Sequence, residues 1–401
     1  MKIPPFTLER QYSEIGHDIE NAVLNVLQKG QYIGGYEIAK FEDSFASLIG
    51  VKDVISCNSG TDALVLALRA FDIGHGDEVI TSSFSFFATA EAISLVGANP
   101  VFVDINPDTF LLNINQIESR INSRTKAIIP VHLFGNAVDM TKLKLIAKKH
   151  NLKIIEDCAQ ATGSMWGSNN VGSIGDIGCF SFFPTKNLGC AGDGGAVTTS
   201  DESLAQKIRE LSVHGSPKRY SHNNIGYNSR LDVIQAAILN VKIKSIKKWI
   251  KLRQKIADNY IQLIDKNALL SLPQTNSELS CNTWNQFVIK VQNENFSNTK
   301  NYFELFETDV IKNKTSRNFL KSELLKIGIN TIIYYPIPIH AQVAYKDKFF
   351  DRDLLFNTEK VCTEVLSLPM FPEITFEEQL YISENLNLIL KKYTQIAQIS
   401  A

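Results

Sequence analysis

Between about residues 50 and 200, short apolar or β-branched runs alternate with stretches whose apolar residues recur at helical spacing. The short runs fall at 54–56, 78–81, 100–104, 126–131, 153–156, 178–182 and 196–199. The helical patterns fall at 63–71, 88–96, 114–121 and 140–149. Strands that alternate with helices predict an α/β architecture, a mostly parallel central sheet covered by helices on both faces. After residue 232 the character changes. Residues 233–264 read as one long helix with lysines on its polar face, leading into a smaller α+β unit. That unit has strand-like runs at 286–291 and 331–335 and a helical tail at 377–391. The polar segment 293–317, rich in Asn, Lys and Thr, is expected to be an exposed helix or loop. The predicted division is a large domain at 1–249 and a small C-terminal domain at 250–401.

Composition narrows the field of functions. A net charge of -1 over 401 residues indicates no polyanion-binding surface, so no nucleic-acid partner is expected. The six cysteines are scattered without a CxxC pair, which suggests reduced thiols in a cytoplasmic protein. The opening MKIPPFTLERQY has no apolar core of a signal peptide, and no apolar run is long enough to span a bilayer. Neither a membrane partner nor a metal is expected.

In a parallel α/β sheet, ligands gather beyond the carboxyl ends of the strands, and three such ends carry unusual residues. Ser59-Gly60-Thr61 precede a helix, where free backbone N–H groups could cradle a phosphate or Ser59 could be an ordinary cap. Asp157 ends a strand buried on both faces, either capping the next turn or partnering a protonated heterocycle. The third end runs into FSFFPTKNLGCAGDGGAV, where Lys186 stands alone among small and apolar residues. Elsewhere lysines cluster, as at 148–149 and 242–251, in patterns that read as solvated. Desolvation should lower the pKa of Lys186 and supply the neutral amine that Schiff-base chemistry requires. The alternatives are a lysine paired with a carboxylate or one snorkelling to the surface. Phosphate cradle, aspartate and isolated lysine on successive strand ends are together the parts that hold pyridoxal 5′-phosphate.

The chain also resembles the nucleotide-sugar aminotransferases of the DegT/StrS type, which are fold type I pyridoxal-phosphate enzymes. The resemblance rests on the blocks GQYIGGYEIAKFE, SCNSGTDAL, GDEVITSSFSFFATAEAI, IIEDCAQATGS, SFFPTKNLGCAGDGGAV, GYNSRLDVIQAAIL, YYPIPIH and LSLPMFP, in that order. It implies that Lys186 holds the cofactor and moves protons, and that Asp157 pairs with the ring nitrogen. It further implies Gln160 near the phenolic oxygen, Phe86 stacked on the ring, and Gly60, Thr61 and Ser181 on the phosphate. Asn228 would reach a phosphate in a neighbouring subunit, which implies a homodimer with shared active sites. L-glutamate would be the amino donor and C3 of a UDP- or dTDP-linked keto-sugar the acceptor, for surface polysaccharide or glycoconjugate synthesis. Arg230 would lie at the substrate end, although from the residues alone it could instead hold the domain connector through Asp232. Tyr334 stands where such enzymes usually carry His, which weakens any inference of a uronate substrate, because Tyr carries no positive charge near neutral pH. Four rival functions are a C4-aminotransferase, a pyridoxamine-dependent dehydratase, a non-catalytic cofactor sensor and a dinucleotide enzyme. The dehydratases carry His at the lysine position. The runs GSIGDIG and GDGG lack dinucleotide-motif spacing.

Overall fold

A computed structural model describes residues 1–292, 315–346, 348, 350 and 352–400. Its first two helices are α1 (Glu9–Lys29) and α2 (Tyr36–Ile49). The strands that follow are β1 (Asp53–Cys57), β2 (Glu78–Ser82), β3 (Asn99–Val103), β4 (Thr125–Ile129), β5 (Lys153–Asp157), the short β6 (Met165–Trp166) and β7 (Asn169–Asn170), β8 (Ile177–Ser181) and β9 (Gly195–Thr199). Seven of them form one sheet in the order β1-β9-β8-β5-β4-β2-β3. Only β9 runs against its neighbours; the contacts β8/β5, β5/β4, β4/β2 and β2/β3 are all parallel. Successive residues of a strand point to opposite faces, and both faces here are apolar. Ile128, Ile154 and Phe180 enter a core beneath α2, whereas Ile129, Ile155 and Cys179 enter a second core with Leu64, Leu66 and Leu68. The last three belong to α3 (Gly60–Ala70), which is followed by α4 (Ala88–Leu95), α5 (Met140–His150) and α6 (Glu202–Ser212).

Three elements differ from the sequence expectation. The pattern at 114–121 forms two tight 3-10 turns, Ile114–Gln116 and Glu118–Arg120, rather than one helix. Asn113 accepts the N–H of Asn115, and the side chain of Gln116 accepts that of Asp104, a local competition that Asn-rich segments commonly win over an α-helix. The expected helix 233–264 breaks into α7 (Val233–Lys242), a 3-10 turn and α8 (Ile246–Leu263). Lys242 is not solvated. It is buried at the break, its amine donating to the Gly189 carbonyl at 2.8 Å. The run 331–335 forms no strand, only an isolated bridge between Ile332 and Ser367. Pro336 and Pro338 follow it, and proline offers no N–H to extend a ladder.

The remaining strands are β10 (Leu270–Ser271), β11 (Ser280–Cys281), β12 (Phe287–Val291) and β13 (Val365–Leu368). Strand β12 lies between β10 and β13, and the helix Phe376–Ser400 follows. Their core, with Tyr260, Phe287, Phe371 and Leu386, also takes Ile3 from the start of the chain. The expectation for 293–317 falls mostly outside the described residues; Thr315 caps the helix Ser316–Lys326. All six thiols are free, and five are buried. No helix among the described residues is long and apolar enough to cross a membrane.

Candidate active site

The carboxyl ends of β1, β2, β5 and β8 open onto a cavity of about 610 Å³. Gly60, Thr61, Phe86, Asp157, Gln160, Ser181, Lys186 and Tyr334 all line it. Eight residues singled out from the sequence, from Gly60 to Tyr334, thus meet at one place.

Lys186 stands in a turn closed by its own backbone. Its N–H donates to the Phe183 carbonyl at 2.9 Å, and the Cys190 N–H donates to the Phe182 carbonyl at 2.7 Å. Gly189 makes the closure possible, since a Cβ there would lie 2.6 Å from the Pro184 carbonyl oxygen. Lys242 pins the same glycine from behind. The Lys186 side chain borders the cavity while protein atoms crowd its amine, and that desolvation pulls its pKa down to about 8. The carboxylate of Asp157 works against this shift without cancelling it. Among the described residues no hydrogen bond or ion pair engages the amine. The carboxylate alternative holds only in that the charge of Asp157 acts on Lys186, and the enclosed amine does not snorkel to the surface.

Asp157, the last residue of β5, is buried. Burial raises its carboxyl above the usual range, opposed by the Thr89 hydroxyl donating to Oδ2 at 2.8 Å and the Ala159 N–H donating to Oδ1 at 3.1 Å. Each oxygen keeps a lone pair for a further charge-assisted bond. Behind it, the Val138 N–H donates to His132 Nδ1 at 3.1 Å, so His132 is the neutral tautomer with its proton on Nε2. That proton bonds Glu156 at 2.9 Å. Burial pushes the Glu156 carboxyl up. The hydrogen bond from His132 and those from backbone N–H groups outweigh it and hold the carboxyl below its ordinary value. His132, Glu156 and Cys158 lie within 4.8 Å of one another, like a metal-ligand set, but both imidazole nitrogens are already engaged. The GSIGDIG run serves this pair, through the Ile174 and Gly175 N–H groups on Glu156.

At the N-terminus of α3, Ser59 Oγ accepts the Asp62 N–H and the Ser59 carbonyl accepts that of Ala63. The cap reading is therefore correct. It leaves the N–H groups of Gly60 and Thr61, which have no intrahelical partner, in the cavity wall. A Cβ on Gly60 would stand 2.7 Å from Ser181 Cβ, so the glycine lets the helix terminus and the end of β8 close into one cradle. Gln160 is held at both ends: its Oε1 accepts the Phe134 N–H at 2.9 Å, and its Nε2 donates to the Tyr335 hydroxyl at 2.8 Å. Phe86 is 59% exposed, its ring facing the open site instead of joining the core. These residues fit pyridoxal phosphate: a cradle with spare N–H donors, a flat aromatic face, a buried carboxylate and an unpaired amine.

Asn228 and Arg230 do not line this cavity. Asn228 is exposed and accepts a hydrogen bond from the Arg230 guanidinium, which therefore bonds Asn228 and not Asp232. Sequence reasoning missed Thr89, Tyr335 and Gln286. Thr89 and Ser85 are four residues apart and bond each other at 3.0 Å, a spacing visible in the chain. Nothing local marked Gln286.

A model of the DegT/DnrJ/EryC1/StrS aminotransferase family matches residues 13–387. A pleiotropic regulatory protein of Geobacillus stearothermophilus is 40% identical over 96% of this chain and 98% of its own length. A UDP-N-acetyl-3-dehydro-alpha-D-glucosamine 3-aminotransferase of Acidithiobacillus ferrooxidans is 41% identical over 94% of this chain and 95% of its own. A dTDP-3-amino-3,6-dideoxy-alpha-D-galactopyranose transaminase of Aneurinibacillus thermoaerophilus is 40% identical over 96% and 99%. Among solved structures, S. venezuelae DesV in complex with a ketimine intermediate superposes with a TM-score of 0.89 at 35% identity, covering 97% of this chain and 98% of that one.

Proposed function

The chain belongs to the DegT/DnrJ/EryC1/StrS aminotransferase family, and from that premise we propose that it moves an amino group from L-glutamate to C3 of a nucleotide-linked keto-sugar. It is a pyridoxal-phosphate-dependent sugar aminotransferase of fold type I. The donor, the carbon and the residue roles are our reading. The observation that carries it is the pairing of one desolvated amine, Lys186, with one buried carboxylate, Asp157, in a cavity walled by a helix N-terminus. The choice of C3 is supported by relatives named for 3-amino transfer to UDP- and dTDP-sugars.

In this reading Gly60, Thr61 and Ser181 hold a phosphate, whose charge suits the positive end of α3. Phe86 stacks on the ring and Gln160 stands by its phenolic oxygen. Asp157 stabilises positive charge on the ring nitrogen. Bound there, pyridoxal 5′-phosphate supplies a sink for the electron pair left when a C–H bond breaks. Lys186, part neutral at neutral pH, takes the proton from the donor carbon and returns one to the acceptor carbon. Asn228 and Arg230 are proposed to serve the site of a neighbouring subunit in a homodimer; Asn228's exposed position outside its own cavity supports this. The cofactor-holding domain is assigned to 1–249 and the smaller one to 250–401, supported by the separate core around Tyr260, Phe287 and Phe371. The amino-sugar product is proposed to feed polysaccharide or glycoconjugate synthesis.

The test offers UDP- and dTDP-linked 3-keto and 4-keto sugars with L-glutamate and identifies products by mass and NMR. Turnover of 4-keto sugars alone would move the reaction to C4. The regulatory name of one relative favours a second reading, a cofactor-binding sensor. If that reading held, no sugar would turn over, and Lys186→Ala would change no rate.

A further inference from the structure

Gln286 borders the same cavity, and nothing in cofactor binding uses it. Its Oε1 is shut off from solvent and, among the described residues, has no hydrogen-bond partner. A buried amide oxygen without a donor is costly, and such atoms in folded proteins commonly face a ligand or an ordered water. The position is also rigid. Arg253 donates to the carbonyls of Trp284 at 3.1 Å and Asn285 at 3.3 Å, and the Asn285 N–H donates to the Phe134 carbonyl at 2.9 Å. Phe287, the next residue, is locked into β12 opposite Leu368. The Asn285 carboxamide donates to Asn187 at 2.9 Å, one residue beyond Lys186. Phe134 in turn holds Gln160. The backbone of Gln286 is thus mounted on the frame that carries both the lysine and the glutamine of the site, and rotation of its side chain alone brings the enclosed Oε1 to a ligand in the cavity.

We infer that Gln286 is a specificity-determining residue whose Oε1 accepts a hydrogen bond from a hydroxyl or acylamino N–H on a carbon flanking the keto carbon of the sugar. The inference rests on the aminotransferase reading. The atom that burial leaves without a partner is an acceptor, so a phosphate, a carboxylate, a ring oxygen or the keto oxygen cannot pair with it. The phosphate and ionised phenol of the cofactor are acceptors too. On a keto-hexose, the remaining donors are hydroxyl and acylamino groups. Lys186 must reach the keto carbon, so the donors on C2 and C4 are the ones that flank it in the cavity that both residues line.

The experiment measures kcat/KM of wild type and Gln286→Leu with L-glutamate and matched 3-keto nucleotide sugars. The sugars carry hydroxyl, acetylamino or hydrogen at C2, and hydroxyl or hydrogen at C4. Wild type should favour the donor-bearing member of one pair by about 10- to 100-fold, the cost of leaving one buried acceptor unpaired. Gln286→Leu should erase that preference while its cofactor absorbance band and its glutamate half-reaction stay unchanged. Calorimetric affinity for the corresponding amino-sugar should fall by a similar factor. The C2 and C4 arms distinguish acylamino from hydroxyl recognition. Equal wild-type rates with and without donors at both carbons would overturn the inference, and this arm needs no variant to fold. So would a variant that keeps the preference, or one that loses cofactor affinity with sugar discrimination intact. A wild type that aminates none of the panel would instead overturn the transaminase reading, and this inference with it.

Discussion

The depressed pKa of Lys186 makes a quantitative prediction about protein stripped of cofactor. A fall from 10.5 to about 8 changes how much amine is neutral. At pH 7.5 the neutral fraction becomes about a quarter, against about one in a thousand for an unperturbed lysine, a gain of about 240-fold. The same shift links to stability. From pH 8 to 10.5 the unfolded lysine holds its proton and the folded one does not, so stability should rise with pH across that window. The rise is on the order of 3 kcal/mol, and the whole penalty is present below pH 8. The assay is pulse acylation of the apoprotein from pH 6 to 11, with Lys186 labelling quantified by peptide mass spectrometry. The exposed Lys148 serves as internal reference. Labelling should have its midpoint near 8. Asp157→Asn removes the charge that supports the ammonium, so the midpoint should move lower still. A wild-type midpoint near 10.5, or an upward move in the variant, would refute the desolvation argument.

Thr89→Val keeps the shape but removes the hydroxyl bond to Asp157, a charge-assisted contact of about 1.5–3 kcal/mol. Cofactor affinity should fall about 10- to 100-fold in an absorbance titration; an unchanged affinity would show that Thr89 does not tune the carboxylate. Gly60→Ala places a Cβ 2.7 Å from Ser181 Cβ and so forces the cradle apart; Tm without cofactor should fall, and the rise in Tm that added cofactor gives should be abolished. His132→Leu leaves buried Glu156 with backbone donors alone and should cost about 1–3 kcal/mol at neutral pH, measured by urea denaturation. Because the Glu156 pKa is depressed, its contribution is complete above the ordinary value of 4.5 and is lost as pH falls below it. The gap between wild type and variant should therefore close in acid.

All seven sheet strands were legible because their apolar runs are buried on both faces, a pattern that depends only on local composition. The misreadings at 114–121, 233–264 and 331–335 have a common origin. In each, a side-chain bond or a proline overrode a periodicity that looked sufficient alone. Lys242 is the clearest case: it sits in a lysine-rich helix pattern, and only its distant partner, the Gly189 carbonyl, explains why it points inward.

The sequence by itself determined the order of strands and helices, the strand ends where chemistry gathers, and the three residue types that chemistry needs. It could do so because burial periodicity, capping and glycine-dependent turns are written within a few residues of each other. Only the tertiary structure decided which groups tune those residues. Thr89 reaches Asp157 across 68 positions, Tyr335 reaches Gln160 across 175, and Asn285 reaches Asn187 across 98. Such contacts form when folding has already closed the intervening chain, so no local pattern records them. The unpaired oxygen of Gln286 belongs to the same class, since its isolation is a property of everything packed around it.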